Sequence, residues 1–198
     1  MEGLLFVLSG PSGVGKNTVL KEVLAKRTDL TYSISATTRP PRGQEIDGVN
    51  YYFLSEEQFL VERRNNGFLE WAEIYGHYYG TPRKQVLALL QKGQHVILDV
   101  DIQGAAQIRE NYANAVLIFL YPPSIAELTR RLQGRNTEDE EAIKKRLAYI
   151  ETELAAVTLY DYVVVNDHLE EACRRVEAII NAEEVKVTCG YWKRLLNP

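Results

Sequence analysis

Gly10-Pro11-Ser12-Gly13-Val14-Gly15-Lys16 has the spacing G-x-x-x-x-G-K, which suits a polyphosphate. Glycines let the backbone turn its N–H groups inward around phosphate oxygens, and a helix starting there adds its positive end. Lys16 is expected to lie against the β- and γ-phosphates and neutralise charge during transfer. Gly10, Pro11, Ser12, Gly13, Val14, Gly15, Lys16, Asn17 and Thr18 are therefore the expected donor-phosphate contacts. One residue departs from the pattern. The position after the lysine normally carries Ser or Thr, whose hydroxyl helps hold Mg²⁺, and here it is Asn17. The Asn amide oxygen can coordinate a metal but is bulkier, and Thr18 supplies a hydroxyl one position later. Asp99, at the end of an apolar run, is the expected carboxylate for the same Mg²⁺. With Asp101 two residues on, one acid is expected to face the nucleotide and the other to cap the next helix.

A second set of residues suits an acceptor. Arg39-Pro40-Pro41-Arg42 puts two guanidinium groups three apart in a proline-stiffened loop, preorganised for one dianionic phosphate. Glu70 and the Tyr78-Tyr79-Gly80-Thr81 stretch follow. A carboxylate matches the adjacent N1–H and N2–H donors of guanine, and a hydroxyl can serve O6. Adenine presents the wrong pattern and would leave a buried carboxylate unpaired. Spacing alone, however, makes Glu70 a strand-surface residue.

A third set lies near the C-terminal half. Arg130, Arg131 and Arg135 flank a glycine bend, and Arg146 follows on a helix whose stripe is Ile143, Leu147, Ile150 and Leu154. Thr137-x-x-Glu140 reads as a capping box. Such arginines fit a closing flap that stabilises charge on a transferring phosphoryl group and excludes water. They fit equally well a set of ion pairs with the acidic run Glu138 to Glu141. No His or Cys has the setting of a nucleophile; His77, His95 and His168 read as structural or surface residues.

The elements that must position these groups follow from periodicity. Leu4 to Leu8 is a buried strand, then the glycine cluster, then a helix with Val19, Leu20, Val23 and Leu24 on one face. Further buried strands are His95 to Val100, Ala115 to Tyr121 and Tyr162 to Val165. Helices run through Ala105 and Ile108, over Ser124 to Gln133 and Thr137 to Tyr160, and from Leu169 to Ala182. That alternation predicts an α/β fold, with a parallel sheet flanked by helices. Tyr32 to Tyr79 breaks the rhythm with short alternating runs at Val49 to Leu54 and Phe68 to Tyr75. A helix capped by Ser55-x-x-Gln58 lies between them, so the stretch reads as a small, partly β insertion.

The 198 residues suffice for one such domain with inserted subdomains, and 45% hydrophobic with 25% charged residues is ordinary for a globular chain. A net charge of −4 suggests no general polyanion surface, hence no nucleic-acid partner. Cys173 and Cys189 read as reduced thiols, and the short apolar start is neither a span nor a leader, so a cytoplasmic location without membrane attachment is expected.

Six segments in register closely resemble guanylate kinase. They are Ser9 to Lys16, Ser33 to Arg42, Gly48 to Phe53, Phe68 to Ala72, Tyr78 to Thr81 and Ile97 to Gly104, and the resemblance extends from residue 4 to about 180. It implies a core P-loop domain (1–32, 83–124 and 158–198), a mixed α+β GMP-binding insertion (33–82) and a helical lid (125–157). It also implies the reaction ATP + GMP ⇌ ADP + GDP with Mg²⁺, small-molecule partners only, in a monomer or homodimer. By motif position, Arg39, Arg42, Tyr51 and Tyr79 would hold the GMP phosphate. Ser35, Glu70 and Thr81 would read guanine, with Asp101 near its amino group. Lys16, Arg39, Arg131, Arg135 and Arg146 would be the catalytic cations, and Asn166 would lie near the adenine ring. Asp99, Asn17 and Thr18 remain the metal candidates. The other reading is a non-catalytic guanylate-kinase-like module that binds proteins; such modules tend to lose the loop lysine and glycines, and Gly13, Gly15 and Lys16 are intact.

Overall fold

The computed structural model describes residues 2–133, 150 and 152–187. Its central sheet joins β1 (Leu5–Ser9), β2 (Leu30–Tyr32), β7 (His95–Asp99), β8 (Val116–Tyr121) and β9 (Tyr162–Val165). These strands are all parallel, in the order β2-β7-β1-β8-β9. β1 therefore lies between β7 and β8, which brings the ends of β1 and β7, Ser9 and Asp99, to one edge of the sheet. That edge is where ligands bind in open parallel sheets.

The unbroken apolar run of β1 follows from cover on both faces. Phe6 and Leu8 pack with Val19 and Val23 of α1 (Lys16–Lys26) and with Val176 and Ile180 of α6 (Leu169–Glu184). Leu5 and Val7 point the other way, into a cluster with Val86 and Leu90 of α3 (Arg83–Gln91) and Ala105 and Ile108 of α4 (Ile102–Asn111). Each such fully buried side chain contributes roughly 1.5–3 kcal/mol, so the two faces together fix the strand order. The parallel sheet and its helices are as the sequence predicts. β2 and α3 are the two core elements that periodicity does not reveal. β2 has three residues, of which only Leu30 is buried. α3 follows β6 (His77–Pro82) directly, with Pro82 at its N-cap and no side-chain cap.

A second sheet has the order β4-β3-β6-β5, with β3 (Ala36–Thr37), β4 (Tyr52–Phe53) and β5 (Phe68–Ile74). α2 (Glu56–Arg64) begins with the expected capping box: Ser55 Oγ accepts from Gln58 N at 3.1 Å, and Gln58 Oε1 accepts from Ser55 N at 2.8 Å. Its Phe59 stacks on Phe68 and Tyr78 at centroid distances of 4.2 and 5.3 Å, giving the small sheet its own aromatic core. The strand expected over 49–54 shrinks to Tyr52–Phe53. Gly48 takes φ +73, and Asn50 Oδ1 accepts from Ile46 N at 2.9 Å, so residues 48–50 turn instead of extending.

α5 (Ile125–Gln133) opens the lid segment. Residues 152–155 are helical and run into a 3₁₀ turn, Ala156–Leu159, so the expected helix to Tyr160 tightens at its end. Arg135, Arg146 and the Thr137/Glu140 capping box lie outside the described residues. Among the described residues, no helix is long and apolar enough to cross a membrane.

Candidate active site

The glycine loop joins β1 to α1 through backbone that side chains would obstruct. Gly10, Gly13 and Gly15 have φ of 145°, 83° and 101°. A Cβ on Gly10 would lie 2.3 Å from the Leu120 carbonyl oxygen, and one on Gly15 would lie 2.7 Å from Asn166 Nδ2. α1 starts at Lys16 with Gly15 as its N-cap and no side-chain cap, which leaves the first-turn N–H groups for an anion. Lys16 Nζ donates to the Gly10 carbonyl at 2.8 Å, so the ammonium is folded back over the loop.

The loop is held from two sides. Asn166, buried just past β9, donates from Nδ2 to the Val14 carbonyl at 2.8 Å. Arg131 of α5 donates from Nη1 to the Val14 and Asn166 carbonyls at 3.4 and 3.2 Å. Its Nε also binds Glu127 at 2.8 Å, with Arg130 on the same carboxylate. Those hydrogen bonds from Arg130 and then Arg131 pull the Glu127 carboxyl down to about 2. Arg131 thus lies over the phosphate loop, and its acidic partner is the upstream Glu127, a turn away on the same helix. The Asn166 amide is spent on the loop itself.

A cavity of about 300 Å³ lies beside the loop. Asn17 and Asp99 line it from the core; Ser35, Tyr51, Glu70 and Tyr79 line it from the insertion, and Asp101 lines it as well. Two of the residues expected on the donor side, Asn17 and Asp99, therefore share one space with five expected on the acceptor side, Ser35, Tyr51, Glu70, Tyr79 and Asp101. Tyr32 and Asn50 also line it and were not singled out by any sequence pattern. Tyr32 ends the short β2, and its hydroxyl is pushed up to about 12 by burial and then by Asp99.

Glu70 owes its position to an irregular strand. β5 and β6 pair Phe68 with Pro82 but Trp71 with Gly80, so β5 carries one extra residue between the two pairs. Bulges of this kind re-aim side chains. Phe68, Leu69 and Glu70 are all buried, and Thr81 Oγ1 donates to Glu70 Oε1 at 2.6 Å. α4 clamps the bulged strand: Gln107 bonds both the N–H and carbonyl of Trp71, and Asn111 Nδ2 donates to the Leu69 carbonyl. Burial pushes the Glu70 carboxyl up to about 7 against the pull of the Thr81 hydrogen bond, and Asp101 adds to the rise. Glu70 is a buried site carboxylate, not the strand-surface residue that spacing alone suggests.

Asp99 closes β7 and Asp101 follows two residues on. Asp101 caps α4, its Oδ1 accepting from Gly104 N at 2.8 Å, while also lining the cavity. Asp99 is half-buried in the cavity wall; burial raises its carboxyl and Lys16 opposes the rise. Asp99 and Asn17 both line the cavity, and each carries an oxygen donor of the kind a small divalent cation takes. Thr18 is exposed and is not a lining residue.

The arginine pair behaves unequally. Arg39 is buried and bidentate to Glu45, both contacts 3.0 Å, with its Cζ 5.4 Å from the Tyr51 ring centroid. Hydrogen bonds from Arg39, then from the Arg42 backbone, hold the Glu45 carboxyl below its usual range. The Arg42 side chain is exposed. Neither arginine lines the cavity; Arg39 stands behind Tyr51.

At the opposite edge of the sheet, Asp29, His95 and Glu184 approach closely enough to resemble a metal site. The hydrogen bonds argue otherwise. His95 Nδ1 accepts from Leu4 N at 2.9 Å, which leaves the ring proton on Nε2, 3.4 Å from Glu184. Arg27 already bonds Asp29 and Glu184. His95 is structural, as its sequence setting suggests, and Cys173 is buried.

Glycine loop, strand-end acid and adjoining acceptor cavity on a parallel sheet define a P-loop phosphotransferase of the nucleoside monophosphate kinase class. The guanylate kinase family model matches residues 3–183. The guanylate kinase of Caldanaerobacter subterraneus subsp. tengcongensis is 50% identical over 186 residues, covering 94% of this chain and 90% of that protein. That of Carboxydothermus hydrogenoformans is 49% identical over 185 residues, 93% of this chain and 91% of its own length. The crystal structure of guanylate kinase from Anaplasma phagocytophilum superposes with a TM-score of 0.73 at 36% identity, covering 93% of this chain and 88% of that one. The chain belongs to the guanylate kinase family and is an enzyme with that family's reaction, ATP + GMP ⇌ ADP + GDP.

Proposed function

We propose that the chain performs this transfer with ATP on the glycine loop and GMP in the 300 Å³ cavity beside it. The observation that carries the reading is Glu70. A carboxylate buried in a cavity needs a donor pair on its ligand, and guanine N1–H and N2–H are such a pair. Thr81 fixes its orientation, and Ser35 and Asp101 line the same cavity, the first to read the base and the second to meet its amino group. The Tyr51 and Tyr79 hydroxyls bind the acceptor phosphate, with the positive charge of Arg39 behind Tyr51 and Arg42 reaching in from the exposed loop.

On the donor side, the N–H groups from Gly10 to Thr18 cradle the phosphates, and Lys16 leaves the Gly10 carbonyl to neutralise them. Arg131, with Arg135 and Arg146, adds positive charge over the transferred group, and Asn166 holds the loop beneath the adenosine. Asp99 and Asn17 would hold Mg²⁺, which would draw charge from the phosphoryl oxygens; Thr18 would give its backbone N–H to the phosphates. Transfer of this kind needs positioning and charge neutralisation more than a proton acceptor. The same bounds follow for the parts: a core of 1–32, 83–124 and 158–198, an acceptor domain of 33–82 and a lid of 125–157. We place the enzyme in the cytoplasm, as a monomer or homodimer with no nucleic-acid or membrane partner.

Calorimetric titration with GMP and AMP tests the acceptor assignment. The wild-type chain is expected to bind GMP far more tightly, and Glu70→Ala to lose most of that preference. Retained selectivity in Glu70→Ala would remove Glu70 from the guanine site. Absence of ATP binding would favour the non-catalytic module.

A further inference from the structure

We propose that Asn17 is an acceptor-binding residue: its side-chain amide donates a hydrogen bond to the phosphate of the acceptor nucleotide. The inference rests on the reading of the cavity as the GMP site. At the position after the loop lysine, the usual side chain is a short hydroxyl that helps hold Mg²⁺. Here the side chain is longer, exposed and part of the wall shared with Tyr51 and Tyr79.

The charge balance of the cavity gives that amide a purpose. Among the described residues, the carboxyl groups on its wall are those of Glu70, Asp99 and Asp101, and no lysine or arginine lines it. Arg39, the nearest buried guanidinium, is already forked to Glu45. With Glu70 and Asp101 given to the base, Asp99 is the acid left on the wall beside the acceptor phosphate, so neutral N–H and O–H donors add to the charge of Arg39 and Arg42 in coordinating it. The Asn17 side chain makes no hydrogen bond to the described residues. It stands at the second position of α1, where the helix end favours an anion.

The carboxamide also suits two neighbours at once. It carries one acceptor oxygen and two N–H donors, whereas a serine hydroxyl has a single proton. With the oxygen turned towards the Asp99 side of the wall, the amino group remains for the acceptor phosphate. Asn17 thereby links the donor and acceptor subsites through one side chain.

The test separates phosphate contact from metal and from folding. GMP and guanosine are titrated calorimetrically, with EDTA present, into the wild-type chain and into Asn17→Ser, Asn17→Ala and Asn17→Asp, after matched unfolding midpoints are checked. A hydrogen bond to a charged group is worth about tenfold in affinity. GMP is therefore expected to bind Asn17→Ser and Asn17→Ala about tenfold more weakly, and Asn17→Asp more weakly still, with guanosine affinity unchanged in all three. Wild-type GMP affinity in Asn17→Ser, or a parallel loss for guanosine, would overturn the proposal. If the wild-type chain itself binds AMP as well as GMP, it is the acceptor reading that fails.

Discussion

Glu70 is the residue at which folding and function pull in opposite directions. Its folded carboxyl is raised from 4.5 to about 7, chiefly by burial. A raised acid stabilises the ligand-free fold below the unfolded value, and that contribution is lost as pH rises through about 7. Glu70→Gln is therefore expected to gain stability over wild type at pH 8, on the order of 3 kcal/mol, and to show little difference at pH 4. Urea unfolding at the two pH values measures this. GMP binding has the opposite sign, because only the carboxylate accepts from both guanine donors. Wild-type affinity for GMP should fall about tenfold from pH 8 to pH 6, beyond any change in Glu70→Gln, which shares the titration of GMP itself. A pH-independent difference between the two proteins would show that Glu70 does not meet the base.

At the scale of elements, α4 is the part that ties the acceptor sheet to the core. Gln107 and Asn111 hold the bulged β5, and Asp101 caps the helix while lining the cavity. The two duties of Asp101 are separable, because Asn caps a helix about as well as Asp. Asp101→Asn is expected to keep wild-type stability yet bind GMP more weakly, whereas Asp101→Ala should also lose about 1 kcal/mol. Unfolding midpoints and the KM for GMP distinguish the two.

Element visibility in the sequence followed pattern length. β1 was legible because Leu4 to Leu8 form the continuous apolar run of a strand covered on both faces, and the α2 cap because Ser55 and Gln58 stand at the required spacing. β2, with one buried residue, offered no period to detect, and its Tyr32 was missed with it. The Glu70 bulge depends on how β5 meets β6, which no local spacing encodes. Motif order could name Glu70 but could not show it buried, nor Arg39 already occupied by Glu45.

Across the whole molecule, the parallel sheet brings the ends of β1 and β7 together and the insertion lays its cavity against them. One cavity at that edge is thereby lined by residues far apart in sequence, such as Asn17, Glu70 and Asp99, and it is there that the proposed function has donor and acceptor phosphates meet. Holding two reactants in line there supplies much of what phosphoryl transfer requires. On the proposed function, the insertion sets substrate choice while the phosphate loop supplies the transfer. The most direct test is a coupled assay of ADP formation by the purified chain with ATP, Mg²⁺ and each of GMP, AMP and UMP. Rapid turnover with GMP and far less with the other two is the expected result; equal rates with AMP, or no turnover with GMP, would contradict it.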